Sequence, residues 1–279
     1  MSVWIGIGGA MGAFLTLVAG LRIYARSASP RPDVTRKLLH LGSGLLTLAF
    51  PFLFGELWPV LLLTGATTAL LALVKFHPWC RRRLGAIVGT GGRTTFGELY
   101  FPIAVAAVFW LARAESPLLF VVPILVLTVA DAAGAVVGFR YGIHRYFNAT
   151  KTLEGSAAVA VATFICTAVP LHAWGGVGMV ESLLIGPLLA LVVALLEASA
   201  WRGLDNLFVP IGGYFVLRAL MPLDVEMLVV RLFGTIGLTI LLLLAQQRVI
   251  VVDHFPGRVC VRLSIAAWAL FLAMELSQS

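Results

Sequence analysis

Residues 117–138 read PLLFVVPILVLTVADAAGAVVG and contain a single charged side chain, Asp131. A helix needs about 20 mainly apolar residues to cross a bilayer, so this segment predicts a membrane span. The whole chain has the same character, because 60% of its 279 residues are hydrophobic and only 12% are charged. A soluble domain usually carries about 25% charged residues. Lipid is therefore the expected solvent for much of this protein.

Similar apolar segments recur from end to end, and they predict an all-α, polytopic transmembrane helical bundle of about eight to ten spans. We expect residues 1–279 to form a single integral membrane domain, with a retained first span at the N-terminus. Three of the spans are short or interrupted by Gly or Pro, which leaves the count open. The further predicted spans are 3–21, 38–54, 57–74, 98–113, 154–171, 179–199, 207–221, 227–246 and 260–276.

The basic residues support this topology. All of the 20 Lys and Arg residues except Arg113, Arg218 and Arg231 fall in alternate loops. Cytoplasmic loops of membrane proteins carry an excess of Lys and Arg, so both termini are predicted to lie outside. The net charge of +7 therefore reflects topology, and we expect the lipid bilayer rather than nucleic acid as the partner.

Asp131 is the most informative acid because it lies inside a predicted span. A carboxylate there costs about 2.5–3.5 kcal/mol on insertion scales and usually faces a polar cavity or a partner. Gly134 and Gly138 follow it. Small residues beside an acid allow a ligand to approach the backbone closely. The alternative is a small-xxx-small contact between helices, with Asp131 as an interhelical hydrogen-bonding group.

The next segment, GFRYGIHRYFNATKTLEGS at 138–156, is rich in groups that bind phosphate. Arg145 and Lys151 would neutralise phosphate oxygens, and Glu154 follows closely. Thr152 or Asn148 is predicted to cap a helix that begins near Leu153. The alternative for the basic residues is contact with lipid headgroups.

Two further groups of polar residues lie at predicted span ends on the same side of the membrane. Glu197, Asp205 and Asn206 offer the oxygen ligands that Mg²⁺ prefers, although Asp205 could instead cap a helix. Glu98 lies at the start of another span on that side. We expect these acids to converge with Asp131 on one site that faces the cytoplasm.

Arg36, Lys37 and His40 occur in VTRKLLHLGSG, near the start of the second span. Residues four apart share a face of a helix, so Arg36 and His40 are predicted to lie together. They form either a phosphate-contacting face or a basic flank with an interfacial histidine.

The sequence contains no GxxxxGK[ST] loop, no kinase-type HRD or DFG motif and no GxSxG motif. A nucleotide-dependent enzyme here would need a different, membrane-embedded architecture.

Five segments in order resemble the polyprenol kinase family, which includes phytol kinase, dolichol kinase and the CTP-dependent diacylglycerol kinase. The resemblance covers roughly residues 34–215 and leaves the predicted spans after about residue 222 without a counterpart. The segments are RKLLHLGSG at 36–44, RTTFGELYFP at 93–102, DAAGAVVGFRYG at 131–142, KTLEGSAA at 151–158 and EASAWRGLDNLFVP at 197–210.

The resemblance implies transfer of the terminal phosphoryl group of a nucleotide, typically CTP, to the hydroxyl of a lipid alcohol. It implies that Asp131 and Asp205 hold Mg²⁺, with Asn206 assisting. Lys151, and Arg36 or Lys37, would contact phosphates, and Glu197 or Glu154 would orient or deprotonate the alcohol. The expected substrates are isoprenoid alcohols such as phytol, farnesol, geranylgeraniol or a polyprenol, and the sequence does not distinguish among them.

Two other functions remain open. Part of the pattern is also similar to the phosphatidate cytidylyltransferases, which use CTP to activate a lipid phosphate. The K-D and H-G-G…D-R segments expected of that family are absent from this chain. A transporter with Asp131 on an ion pathway is the alternative from a different functional class.

Overall fold

The computed structural model describes residues 2–30, 32–80, 82, 96–145, 151–200 and 203–249. These residues form helices and contain no strand, only an isolated bridge between Arg145 and Thr152. The helices are α1 (Val3–Ala28), α2 (Pro32–Thr47), α3 (Phe50–Leu53), α4 (Leu57–Phe76), α5 (Gly97–Ala112), α6 (Leu118–Tyr141), α7 (Leu153–Trp174), α8 (Met179–Ser199), α9 (Asp205–Leu220) and α10 (Val225–Val249).

Five of these helices, α1, α4, α6, α7 and α8, are long and apolar enough to cross a membrane. The all-α, polytopic class is thereby confirmed. Helix α5 is apolar as well but has only 16 residues, and Pro102 lies inside it. The total of eight to ten spans stays a prediction, and the predicted span at 260–276 lies outside the described residues.

The largest differences from the predicted boundaries concern the first two spans. Helix α1 continues to Ala28, beyond the predicted end at residue 21. The predicted span at 38–54 is not continuous, because α2 ends at Thr47 and α3 begins at Phe50. Pro51 is the physical reason: it has no N–H to bond the Thr47 carbonyl four residues earlier and its ring would clash with that carbonyl, whereas proline is tolerated in the first turn of a new helix.

The chain divides into two compact units. The first comprises Met1–Thr128 and Arg202–Ile211, and the second comprises Val129–Trp201 and Gly212–Ser279. The boundaries fall inside α6 and inside α9. The expectation of a single domain over residues 1–279 stays a prediction.

Within the first unit, α4 packs on α5, and α1 packs on α2 and α4. Phe109 and Phe120 meet edge to face there, with ring centroids 5.7 Å apart. Within the second unit, α8 packs on both α7 and α10. Only 11% of the most apolar 18-residue stretch of α1 is buried. Such an apolar and exposed helix has a surface suited to lipid.

Candidate functional site

Lys151 and Glu197 form an ion pair in the second unit. The Lys151 Nζ lies 2.7 Å from Glu197 Oε1, and the amine also donates a hydrogen bond to the backbone carbonyl of Glu197. The two side chains are 21% and 17% exposed. Lys151 precedes α7 and Glu197 lies in the last turn of α8, so the close packing of these two helices brings the charges together. The sequence analysis selected both residues but did not pair them.

The start of α7 is fixed by its own hydrogen bonds. Thr152 caps the helix, because its Oγ1 accepts a hydrogen bond of 3.1 Å from the Gly155 N–H. This confirms the predicted cap, whereas Asn148, the alternative, lies outside the described residues. The Leu153 N–H donates to the His144 carbonyl at 2.8 Å. Two of the N–H groups that a helix leaves unpaired at its start are therefore already satisfied. Recognition of phosphate at this end would depend on side chains rather than on these amides.

Glu154 lies in the first turn of α7 and contacts His144. Its Oε1 is 2.7 Å from His144 Nδ1, and its carboxylate also accepts a hydrogen bond from the His144 N–H at 3.2 Å. His144 is 74% exposed, so the pair lies near the surface, where ion pairs contribute little to stability. The contact between Glu154 and His144 depends on the turn between α6 and α7, so the spacing of the two residues in the sequence does not reveal it.

Gly134 and Gly138 lie against α7. A Cβ at Gly134 would stand 2.5 Å from Val159 Cγ2 and 3.3 Å from the Gly155 carbonyl oxygen. A Cβ at Gly138 would stand 3.0 Å from Thr152 Oγ1. The alternative of a small-xxx-small helix contact is thus the arrangement seen in the structure. A direct part for these glycines in nucleotide binding stays a prediction.

Asp131 lies on the same helix and is partly buried. Helix α6 continues to Tyr141, so Asp131 lies ten residues from its end, or about 15 Å along the axis. This is nearly three turns, compared with the two turns implied by the predicted span. Asp131, Lys151, Glu154 and Glu197 all belong to the second unit.

Several polar groups lie together at the start of α5, within the first unit. Asn206, in the first turn of α9, donates a hydrogen bond of 2.9 Å from Nδ2 to the Gly97 carbonyl. Glu98 Oε2 lies 3.4 Å from Lys75 Nζ, and that amine is also 4.7 Å from the centre of the Phe96 ring. The sequence predicts Lys75 only as a basic residue of a loop. Lys75 and Glu98 are 23 residues apart, and this separation does not predict that their side chains meet.

Arg36, Lys37 and His40 lie on α2, as predicted. The His40 ring meets Phe101 of α5 edge to face, with ring centroids 4.8 Å apart, so His40 packs between these two helices. Arg36 Nε is buried and has no hydrogen-bond partner within the described part of the chain. Contact of these residues with phosphate stays a prediction.

The predicted magnesium ligands are distributed over both units. Asp131 belongs to the second unit, whereas Asp205 and Asn206 belong to the first. Asp205 is the first residue of α9, and its Oδ1 accepts from the Asn206 N–H at 3.1 Å. Because Asn206 uses Nδ2 as a donor, its Oδ1 is the atom suited to a cation. Carboxylate and amide oxygens fit Mg²⁺ chemically. No group of three or more His, Cys, Asp or Glu residues suited to a metal occurs among the described residues.

Arg145, the other predicted phosphate contact, is exposed in the turn after α6, and its backbone bridges to Thr152. The structure therefore brings Arg145 close to the start of α7, where Lys151 and Glu154 also lie. It also pairs Lys151 with Glu197. These four residues define what we call the α7 cluster.

Comparison with known proteins identifies one curated relative. The chain is 28% identical over 222 residues to a protein named phytol kinase from Synechocystis sp., and the match covers 78% of this chain and 93% of that protein. No protein-family model and no solved structure matches the chain. The family relationship that the five sequence segments predicted is confirmed by this similarity.

Proposed function

We propose that this chain, a relative of the phytol and polyprenol kinases, is a membrane lipid-alcohol kinase. It transfers the terminal phosphoryl group of a nucleoside triphosphate, CTP in this proposal, to the hydroxyl of an isoprenoid alcohol such as phytol, farnesol, geranylgeraniol or a polyprenol. The observation that carries the proposal is the Lys151–Glu197 pair, a largely buried amine and carboxylate at the junction of α7 and α8. The proposed site faces the cytoplasm, where nucleotides are available.

The reaction exchanges one P–O bond for another. The alcohol oxygen forms a bond to the terminal phosphorus, the bond from that phosphorus to the bridging oxygen breaks, and the hydroxyl proton passes to a carboxylate. The products are a lipid monophosphate and a nucleoside diphosphate. Such a transfer needs positioning and neutralisation of charge more than covalent chemistry. The α7 cluster supplies basic groups that position the phosphates and neutralise their charge. It also supplies carboxylates that can accept the hydroxyl proton.

Lys151 would contact the phosphates, with Arg145 and either Arg36 or Lys37 as further contacts. Glu197 neutralises the Lys151 amine in the structure. Phosphate oxygens would compete for the same amine, since a lysine is a point charge with three donors. Entry of the nucleotide would therefore release the Glu197 carboxylate to orient or deprotonate the alcohol. Glu154 is the other carboxylate proposed for that step.

Asp131, Asp205 and Asn206 are the residues proposed to hold Mg²⁺, which when bound would neutralise charge that develops on the phosphates. The carboxylate and amide oxygen atoms of these residues, which are suitable ligands for Mg²⁺, support this assignment. Gly134 and Gly138 would act indirectly, by allowing the helix that carries Asp131 to lie close to α7.

The test is a transfer assay with purified protein in detergent, Mg²⁺ and a panel of prenyl alcohols and diacylglycerol. CTP, UTP and ATP, each labelled at the terminal phosphate, are compared as donors. The expected result is label in a prenyl monophosphate with CTP as the preferred donor, and loss of that label in Asp131→Asn and in EDTA.

Other outcomes would replace the proposal. If label leaves only as pyrophosphate when lipid phosphates are added, the protein is a cytidylyltransferase. If no nucleotide binds or turns over, and Asp131→Asn abolishes ion-coupled flux in proteoliposomes, it is a transporter.

A further inference from the structure

A groove of ≈ 450 Å³ runs between α4 and α5 in the first unit. This volume lies within the range of about 300–1,000 Å³ that is typical of sites for small molecules. The groove is open at the side, where Leu61 and Ile103 are exposed. Its lining residues are Leu61, Thr64, Gly65, Thr68, Ala69 and Ala72 of α4, and Pro102, Ile103 and Ala106 of α5.

The wall of the groove is apolar even where it contains threonine. Thr64 Oγ1 donates to the Val60 carbonyl at 2.7 Å, and Thr68 Oγ1 donates to the Thr64 carbonyl at 2.7 Å. Both hydroxyls are therefore satisfied within α4, and neither requires a polar group from an occupant. Gly65 adds open space, since a Cβ built there would meet nothing within 4 Å. The groove consequently suits a slender hydrocarbon chain.

One end of the groove has a charged pair. Lys75 follows Ala72 by one turn of α4, and Glu98 precedes Pro102 by one turn of α5. These two side chains lie 3.4 Å apart and are 17% and 14% exposed. This is the end of both helices that the distribution of basic residues predicts to face the cytoplasm. A molecule in the groove would thus have its tail among apolar side chains and its head beside an amine and a carboxylate.

The length of the groove matches one leaflet. From Leu61 to Ala72 the helix rises about 16 Å, at 1.5 Å a residue. The hydrocarbon core of a bilayer is about 30 Å thick, so one leaflet is about half of this. A lipid with its head at the Lys75–Glu98 end would enter sideways from a single leaflet.

We infer that this groove binds the isoprenoid tail of the lipid alcohol before transfer, with its hydroxyl at the end of the groove that carries Glu98 and Lys75. The inference rests on the proposed function. The Lys75–Glu98 pair carries no net charge, and it can hydrogen-bond the neutral hydroxyl of an alcohol with the carboxylate as acceptor and the amine as donor. A phospholipid would also have to place two acyl chains against the groove, whereas the alcohol has one.

The first test fills the groove. Gly65→Leu places a side chain at a position where a Cβ would meet nothing within 4 Å, so we expect its effect on folding to be small. We expect kcat/KM for phytol and geranylgeraniol to fall at least about tenfold through a higher KM, because the shape of an apolar pocket discriminates by about 10- to 200-fold. The short alcohol geraniol should retain its wild-type rate. The matched control is Ala66→Leu, on an exposed position of α4 outside the groove lining, which should behave as wild type.

The second test measures occupancy of the groove by the alcohol without any need for turnover. A prenyl alcohol that carries a photoreactive diazirine in its tail is irradiated with the wild-type protein in detergent, and the labelled residues are identified by mass spectrometry. We expect labels on α4 between Leu61 and Ala72 and on α5 near Ile103. Excess phytol should displace them, and phosphatidylglycerol should not.

The outcomes separate this inference from the proposed function. If wild-type protein phosphorylates prenyl alcohols but Gly65→Leu and Ala66→Leu behave alike for every tail length, the groove is not the tail site. Labelling that phosphatidylglycerol displaces as well as phytol does would also overturn the inference and identify the groove as a lipid-facing surface only. Absence of transfer from any nucleotide, with selective labelling of the groove, would instead overturn the kinase proposal and leave a prenyl-binding site.

Discussion

Lys151 and Glu197 are 46 positions apart in the sequence, and their charged atoms lie 2.7 Å apart at the junction of α7 and α8. The carboxylate and the backbone carbonyl of the same residue both accept from the lysine amine. Each group is about four-fifths shielded, so removal of one partner would leave the other poorly solvated. The pair therefore links the integrity of this helix junction to the proposed binding of phosphate.

Lys151→Gln should raise KM for the nucleotide and lower kcat/KM about 10- to 150-fold. The expected size follows from a charge-assisted hydrogen bond, which contributes about 1.5–3 kcal/mol. The measurement is steady-state transfer at varied nucleotide concentration. Arg140→Gln is the control, because Arg140 is an exposed basic residue at the end of α6 and its removal changes the net charge equally. An unchanged KM in Lys151→Gln would argue against a phosphate contact.

The contact between α6 and α7 predicts that Gly134→Ala destabilises the protein by about 1–3 kcal/mol, the usual cost of overpacking. Alanine favours a helix by about 1 kcal/mol over glycine, but the new Cβ would lie 2.5 Å from Val159 Cγ2. The measurement is the midpoint of thermal unfolding in detergent.

Val159→Ala removes the clashing methyl group and should restore much of the midpoint when it is combined with Gly134→Ala. Gly12→Ala on α1 is the control, since a Cβ there meets nothing within 4 Å. A Gly134→Ala protein as stable as the Gly12→Ala protein would contradict the observed contact.

Thr152→Ala removes the side-chain cap of α7 and should lower stability by about 1 kcal/mol, the typical value for loss of a cap. Thr152→Ser keeps the hydroxyl that accepts from the Gly155 N–H and should remain close to wild type. Thermal unfolding of the three proteins, together with amide hydrogen exchange at the start of α7, measures the difference. Equal effects of the two substitutions would show that packing of the Thr152 methyl group, rather than capping, is responsible.

The approach of Gly203 to Gly97 predicts a large effect of Gly203→Ala. Gly203 has φ of +89°, and a Cβ on it would lie 2.5 Å from the backbone nitrogen of Gly97, which has no flexible side chain to yield. Positive φ alone costs a non-glycine residue about 1–2 kcal/mol. Gly176→Ala is the matched control, because Gly176 has φ of +64° but open space around it.

We therefore expect both substitutions to lower the unfolding midpoint and Gly203→Ala to lower it clearly further. Gly203→Ala should also weaken the Asn206–Gly97 hydrogen bond at the start of α5. Equal midpoints for the two variants would mean that the backbone contact is relieved by a small shift.

Local features of the sequence determined the fold class and several details of the candidate site. Runs of apolar residues such as 118–130 predict helices in lipid, because backbone polar groups in hydrocarbon must be satisfied within the helix. The Thr152 cap was predictable for a similar reason, since it depends on residues within three positions of one another. The five segments that resemble the polyprenol kinases also lie in the sequence itself, independent of any fold.

Tertiary structure decided which of the selected residues meet. The sequence placed Lys151, Glu197, Glu98 and Asn206 at helix ends, but it did not pair Lys151 with Glu197, Glu98 with Lys75, or Asn206 with the Gly97 carbonyl. It also left open whether Gly134 faces a ligand or a helix, and the close approach of Val159 gave the answer. The physical reason is that the pattern of apolar residues indicates how much of the surface of a helix is suited to lipid or to protein contacts. It does not state which neighbour the helix packs against, and these ion pairs and contacts depend on that neighbour.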